Sequence, residues 1–226
     1  MVDEEGADEK QNLVGNMSSS EENGLSLERL ILFSDAIVAI AITLLAFSLK
    51  LDVPASRHLT FGDLIAPWKQ YLAFILSFIN IAGFWQVHHT IFAYVKKMDR
   101  KMVGLNMGWL FFIIILPFTT SVLSTHFTDS PAIFLYCLNI FLLSVFQNFI
   151  WDYGDDSAVV RTDEEGIRIK RLEVMFNLDM LNGIIAVIVS FFAPVVAFIL
   201  LFFKIPLFVF ASFYIASQRR KEISRK

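Results

Sequence analysis

Cysteine is nearly missing from this chain of 226 residues: Cys137 stands alone, so no disulfide can close within the chain. It sits inside an apolar run, where a lone thiol acts as a small buried hydrophobe. Charge is scarce as well, at 18% of residues, where a soluble domain carries about a quarter. The patterns G-x-S-x-G, H-E-x-x-H and C-x-x-C do not occur. Their absence argues against the common nucleophilic, zinc-dependent and dithiol enzymes, and no cofactor is implied. No feature suggests nucleic-acid binding. The N-terminus also lacks the basic flank, short apolar core and small-residue cleavage site of a secretory signal. We therefore read the first apolar run, near Leu30, as a segment that is kept.

Apolar residues make up 56% of the chain, with 24 Phe among them. Lipid is the solvent such a composition fits. A helix needs about 20 mostly apolar residues to cross a bilayer, and the length allows five to seven crossings with short loops. The net charge of −3 hides an uneven distribution. Asp3, Glu4, Glu5, Asp8, Glu9, Glu21 and Glu22 crowd the start, whereas Lys and Arg edge the apolar body. Residues 1–25 read as a disordered acidic tail, because so polar a segment cannot bury enough surface to offset its ordering entropy. Residues 26–217 read as a six-helix transmembrane domain and 218–226 as a basic tail.

Ser26 suits an N-cap, with Glu28 in the first turn at the positive end of the helix dipole. The first span is predicted over 29–51, ahead of Pro54. Spans over 68–94, 103–123 and 132–151 follow. The apolar stretch 174–216 is long enough for two more, joined by a turn near Ala193-Pro194. Lys204 then falls well inside the sixth, where a charge costs about 3 kcal/mol on insertion scales unless it snorkels or pairs. Trp68 and Tyr71 at one end of the second span and Tyr94 at the other fit aromatic belts. Basic residues gather at 96–101, 154–173 and 219–226, all on one side of a six-span chain. By the positive-inside rule both termini are cytoplasmic, with the protein in the cell membrane. No internal repeat is visible, which argues against a single-chain inverted-repeat transporter.

Polar groups inside spans are the candidates for function, since lipid penalises them unless they are bonded. The first span carries Arg29, Ser34 and Asp35; six residues separate Arg29 from Asp35, about 120° on a helix, so their partners must come from other helices. Trp85, His88, His89, Asn106 and Trp109 in the second and third spans offer such partners. Adjacent His88 and His89 point about 100° apart and cannot share one metal ion on a regular helix. We expect one in a buried hydrogen-bond network and the other near the cytoplasmic interface.

Arg29, Phe33, Ser34 and Asp35 form R-x-x-x-F-S-D, followed by Ala-Ile-Val-Ala-Ile-Ala-Ile-Thr-Leu-Leu. With Trp85-Gln-Val-His88-His89, Leu105-Asn106 and Pro117-Phe118-Thr119, the segment from Arg29 to about Thr120 resembles the lysosomal potassium channel family, also called the transmembrane protein 175 family, and its prokaryotic homologues. Beyond that segment the resemblance rests on helix number. One set of six spans resembles the prokaryotic members. The resemblance implies an all-α, polytopic homotetramer whose first helices line a pore without a carbonyl-lined filter, and the chain indeed has no T-V-G-Y-G-like segment. It further implies K⁺, and other monovalent cations, as the permeating species, with the bilayer and a second copy of the chain as partners. The apolar constriction would fall on Ile40, the hydroxyl layer on Thr43, and Leu44 and Phe47 would also line the pore. Ile40, Thr43 and Phe47 do share an i, i+3, i+7 stripe, a pattern that by itself ordinarily means packing. Phe47 is larger than the aliphatic residue expected there. Arg29, Phe33, Ser34 and Asp35, with Trp85, His89 and Asn106, would be the frame that holds the pore helix.

Two other readings compete. A proton- or ion-coupled transporter would use Asp35, His88 or His89, and Asp179 as a relay. A membrane enzyme or divalent site could be sought at Asp152, Asp155 and Asp156, although a solvated loop explains those acids. A purely structural subunit is a third role compatible with the sequence.

Overall fold

The computed structural model describes residues 27–93, 95, 99–156 and 166–202, and every one of its long elements is a helix. Helix α1 is the span Leu27–Ser48, whose last turn, Leu45–Ser48, tightens to a 3₁₀ helix. A short α2 (Phe61–Ile65) precedes α3 (Trp68–Phe92). Asp99 then caps α4 (Arg100–Thr125) by accepting from the Met102 backbone N–H at 2.8 Å. Pro117 lies inside α4 and offers no N–H to the carbonyl one turn back, a gap the neighbouring helices must cover. Helices α5 (Ser130–Asp156) and α6 (Gly166–Ser190) follow. The chain breaks at 191–193, where the backbone N–H groups of Phe192 and Ala193 bond Val189 O, and Pro194 opens α7 (194–202). Proline suits that first helical position, because its missing N–H would have had no partner there.

Among the described residues five helices are long and apolar enough to cross a membrane: Leu27–Ser48, Phe61–Phe92, Arg100–Thr125, Ser130–Gly154 and Glu173–Ser190. The turn expected near 193–194 is present, and α7 starts there. The residues after 202, with Lys204 and the basic tail, lie outside the described part, as do the acidic tail, Ser26, Tyr94 and residues 96–98 and 157–165. Relative to expectation the first span stops at Ser48 instead of Leu51, because the chain turns extended at Leu49.

Helix α5 is the hub, flanked by α4 on one side and α6 on the other. Lipid tails are as apolar as leucine, so hydrophobicity alone does not drive helices together in a bilayer; close approach and polar ties do. Gly108 of α4 supplies the close approach, since a Cβ there would sit 2.1 Å from the Phe146 ring. The ties radiate from α5. Asn139 donates to Phe112 O of α4, Gln147 to Phe84 O of α3 and Asn148 to Phe176 O of α6, each at 3.3 Å. Ser144 donates to Asp179 of α6 at 2.6 Å. Tyr136 meets Ser77 and Asn80 of α3 at 3.0 and 3.4 Å, and Thr120 of α4 donates to Ser77 at 2.7 Å. The Nδ2 of Asn182 in α6 reaches Leu200 O of α7 at 3.4 Å.

Candidate functional site

Helix α1 has two faces. Leu30, Ser34, Val38, Ala41, Leu45 and Ser48, spaced by three or four residues, are buried against the rest of the chain. Arg29, Phe33, Ala36, Ile40, Thr43 and Phe47 form the opposite stripe and are uncovered, Ile40 at 58% and Phe47 at 76% exposure. Leu32 and Leu44 flank that stripe and are uncovered too.

The buried face is held by a directed chain of hydrogen bonds. Asn106 of α4 donates through Nδ2 to Ser34 Oγ at 3.0 Å, and Ser34 Oγ donates to Leu30 O at 2.8 Å. This leaves the Asn106 carbonyl oxygen to accept from His88 Nε2 of α3 at 2.7 Å, which assigns the ring proton to Nε2. His88 is buried and stacks on Trp109 of α4, ring centroids 4.3 Å apart, with Phe92 on its other flank at 4.4 Å. Every proton points from α3 through α4 into α1 and ends on a helix carbonyl. Such a chain ties three helices together.

One residue further along α1, Asp35 accepts from Trp85 Nε1 of α3 at 2.8 Å. The exposed His89 ring lies 5.9 Å from that of Trp85. Of the frame residues read from the sequence, Ser34, Asp35, Trp85 and Asn106 thus come together. His89 stands beside them and does not reach Asn106; that bond belongs to His88. Arg29 is exposed, without a hydrogen bond or ion pair among the described residues, and Phe33 beside it is half-exposed. On the open stripe, Thr43 spends its only hydroxyl proton on Ile40 O at 2.7 Å, so its oxygen is free only to accept, as a cation ligand would.

The sequence reading missed the buried cluster of Ser77, Asn80, Thr120 and Tyr136 and the polar edge of α5. The signal was there: Tyr136, Asn139, Ser144, Gln147 and Asn148 interrupt an otherwise apolar span. Asp179, named for a relay, accepts from Ser144 of α5. No group of three His, Cys, Asp or Glu is placed to hold a metal among the described residues.

These features define a polytopic helical membrane protein whose first helix is clamped along one face and left open along the other. The family model of the endosomal/lysosomal potassium channel TMEM175 matches residues 29–117, the stretch that contains both the clamp and the open stripe. A protein named potassium channel from Chryseobacterium sp. is 27% identical over 173 residues, 75% of this chain and 85% of that one. An endosomal/lysosomal proton channel TMEM175 from Gallus gallus is 37% identical over 139 residues, 56% of this chain but only 28% of that longer protein. The crystal structure of a lysosomal potassium-selective channel TMEM175 homologue from Chamaesiphon minutus superposes with a TM-score of 0.69 at 23% identity, over 85% of this chain and 97% of that one. That likeness establishes the fold. Over residues 29–117 the chain is similar to the TMEM175 family, whose members are ion channels and not enzymes.

Proposed function

We propose that the chain is a potassium-permeable cation channel, assembled from four copies with the open stripe of α1 lining a central pore. The observation that carries this reading is the asymmetry of α1: a helix with a polar lock on one face leaves Phe33, Ile40, Thr43 and Phe47 uncovered by the described residues on the other. Four Ile40 side chains form an apolar collar that resists wetting when narrow and passes a partly dehydrated cation when dilated. Thr43 oxygens, already oriented as acceptors, replace part of the hydration shell and favour K⁺ over Na⁺ modestly. Leu44 and Phe47 line the pore beyond them. Ser34, Asp35, Trp85, His88 and Asn106 keep the helix in register. In this reading six spans cross the cell membrane, both termini are cytoplasmic, and residues 26–217 are the channel domain.

The names of the relatives support a potassium channel, and the animal relatives' name makes protons the second ion to measure. Planar-bilayer recording tests the proposal. Ile40→Asn is expected to raise the leak current, and Thr43→Ala to shift the reversal potential under K⁺/Na⁺ bi-ionic conditions toward zero. Wild-type current with both substitutions would remove α1 from the pore.

A further inference from the structure

Between α1 and α3 the chain builds a small structure that the pore does not need. Thr60 and Asp63 form a capping box: the Asp63 carboxylate accepts from the Thr60 backbone N–H at 2.9 Å and from its hydroxyl at 2.6 Å, and the Thr60 Oγ faces the Asp63 N–H. Arg57 closes on Asp63 at 2.6 Å, its own N–H bonded to Pro54 O. Tyr71 of α3 donates to Leu64 O at 2.6 Å. A five-residue helix does not persist alone, because its nucleation is not repaid by propagation. Here the polar side chains fix it.

What the fixed helix presents is apolar. Phe61 is 87% exposed and Ile65 69%, with Leu59, Leu64 and Trp68 uncovered beside them. The Trp68 ring is braced from one side by Phe127, which also packs on Phe198 of α7, so this corner lies along the α7 side of the chain. Lys69 reaches over Trp68. An apolar tip with an aromatic residue at the start of a span and cations beside it is the arrangement that the headgroup boundary of a bilayer accepts.

We propose that Leu59, Phe61, Leu64, Ile65 and Trp68 form an anchor that lies in the headgroup boundary of the leaflet at the Trp68 end of α3. Its occupant is lipid, because the patch is continuous with the outward residues Ile75 and Phe78 of a helix long and apolar enough to cross a membrane. Beside the anchor, Gln70 Oε1 of α3 accepts from the Lys50 backbone N–H at 2.8 Å, which ties the chain just after α1 to the start of α3. The inference rests on the membrane class of the chain and not on the pore.

Spin labels on single cysteines test it, placed at Phe61→Cys, Ile65→Cys and, as the polar-side control, His58→Cys, all in a Cys137→Ala background and reconstituted in phosphatidylcholine vesicles. Labels at 61 and 65 are expected to collide with oxygen at least several-fold more, relative to a water-soluble nickel chelate, than the label at 58. Equal chelate access at all three sites would overturn the anchor. So would spectral broadening at 61 and 65 that vanishes on dilution with unlabelled chain, since it would put a second copy on the patch. Gel filtration identical to the parent qualifies each variant, and the two independent positions keep the test decisive if one of them fails to fold.

Discussion

Asn106 is the residue on which the clamp turns, because its amide is used at both ends, donating to Ser34 and accepting from His88. Asn106→Ala leaves the buried His88 N–H without an acceptor, which costs about 1–3 kcal/mol, while Ser34 loses a donor but keeps its bond to Leu30 O. The variant is expected to unfold at lower temperature in detergent, while Asn106→Asp, which keeps the acceptor for His88, retains part of the loss. A melting temperature unchanged in Asn106→Ala would show that the clamp contributes nothing. The residues of this clamp were legible in the sequence as polar groups stranded in apolar spans. Which of the two histidines joins it was not. His88 and His89 differ by about 100° around one helix, and only the docking of α3 on α4 decides which turns inward. The same limit applies to Thr43: the sequence placed it on a stripe, but its bond to Ile40 O, which turns its oxygen into a pure acceptor, is a local conformation that the stripe does not specify.

Helix ends and helix contacts carry the next set of effects. Hydropathy found five spans among the described residues because every backbone group in lipid must be satisfied within its own helix, so those apolar runs and helices coincide. It passed over α2, whose signal is the capping-box spacing of Thr60-Phe61-Gly62-Asp63, Thr60 followed three residues later by Asp63, and not its length. At the start of α4, Asp99 is held below the usual carboxylate range, first by the Met102 N–H it caps and then by the Tyr153 hydroxyl of α5 and the nearby Lys101. A carboxyl with a depressed folded pKa adds stability that is present above its unfolded value and disappears as pH falls through the folded one. The melting temperature of wild type is therefore expected to fall on acidification more than that of Asp99→Asn, with the two curves converging at the acid end. Parallel curves would contradict this. Between helices the tightest point is Gly108 against Phe146. Gly108→Leu must displace that ring and part α4 from α5, at about 1–3 kcal/mol for an overpacked core, and is read out as a lower melting temperature with Phe146→Ala as the compensating second change.

For the molecule as a whole, the unanswered surface of α1 sets the question of assembly. A single chain in lipid could leave Leu32, Phe33, Ile40 and Phe47 to acyl chains at little cost, so their exposure alone does not require a second copy. The small residues on the same side argue further. Ala36, Ala39 and Ala46 are uncovered among the large ones, and small side chains are what let helix backbones approach closely where lipid supplies no hydrophobic drive. If four α1 helices surround an axis, Ala39 lies near the contact of neighbours and a bulky side chain there parts them. Ala39→Trp is therefore expected to lower the mass of the detergent-purified complex from four chains to one, measured by native mass spectrometry, with Ala39→Gly keeping four. The melting behaviour of the separated chain should change little, because its own clamp lies on the opposite face of α1. A wild-type protein that is already a single chain would end the pore reading altogether, whereas a tetramer indifferent to Ala39→Trp would keep the assembly and move its contacts to other helices.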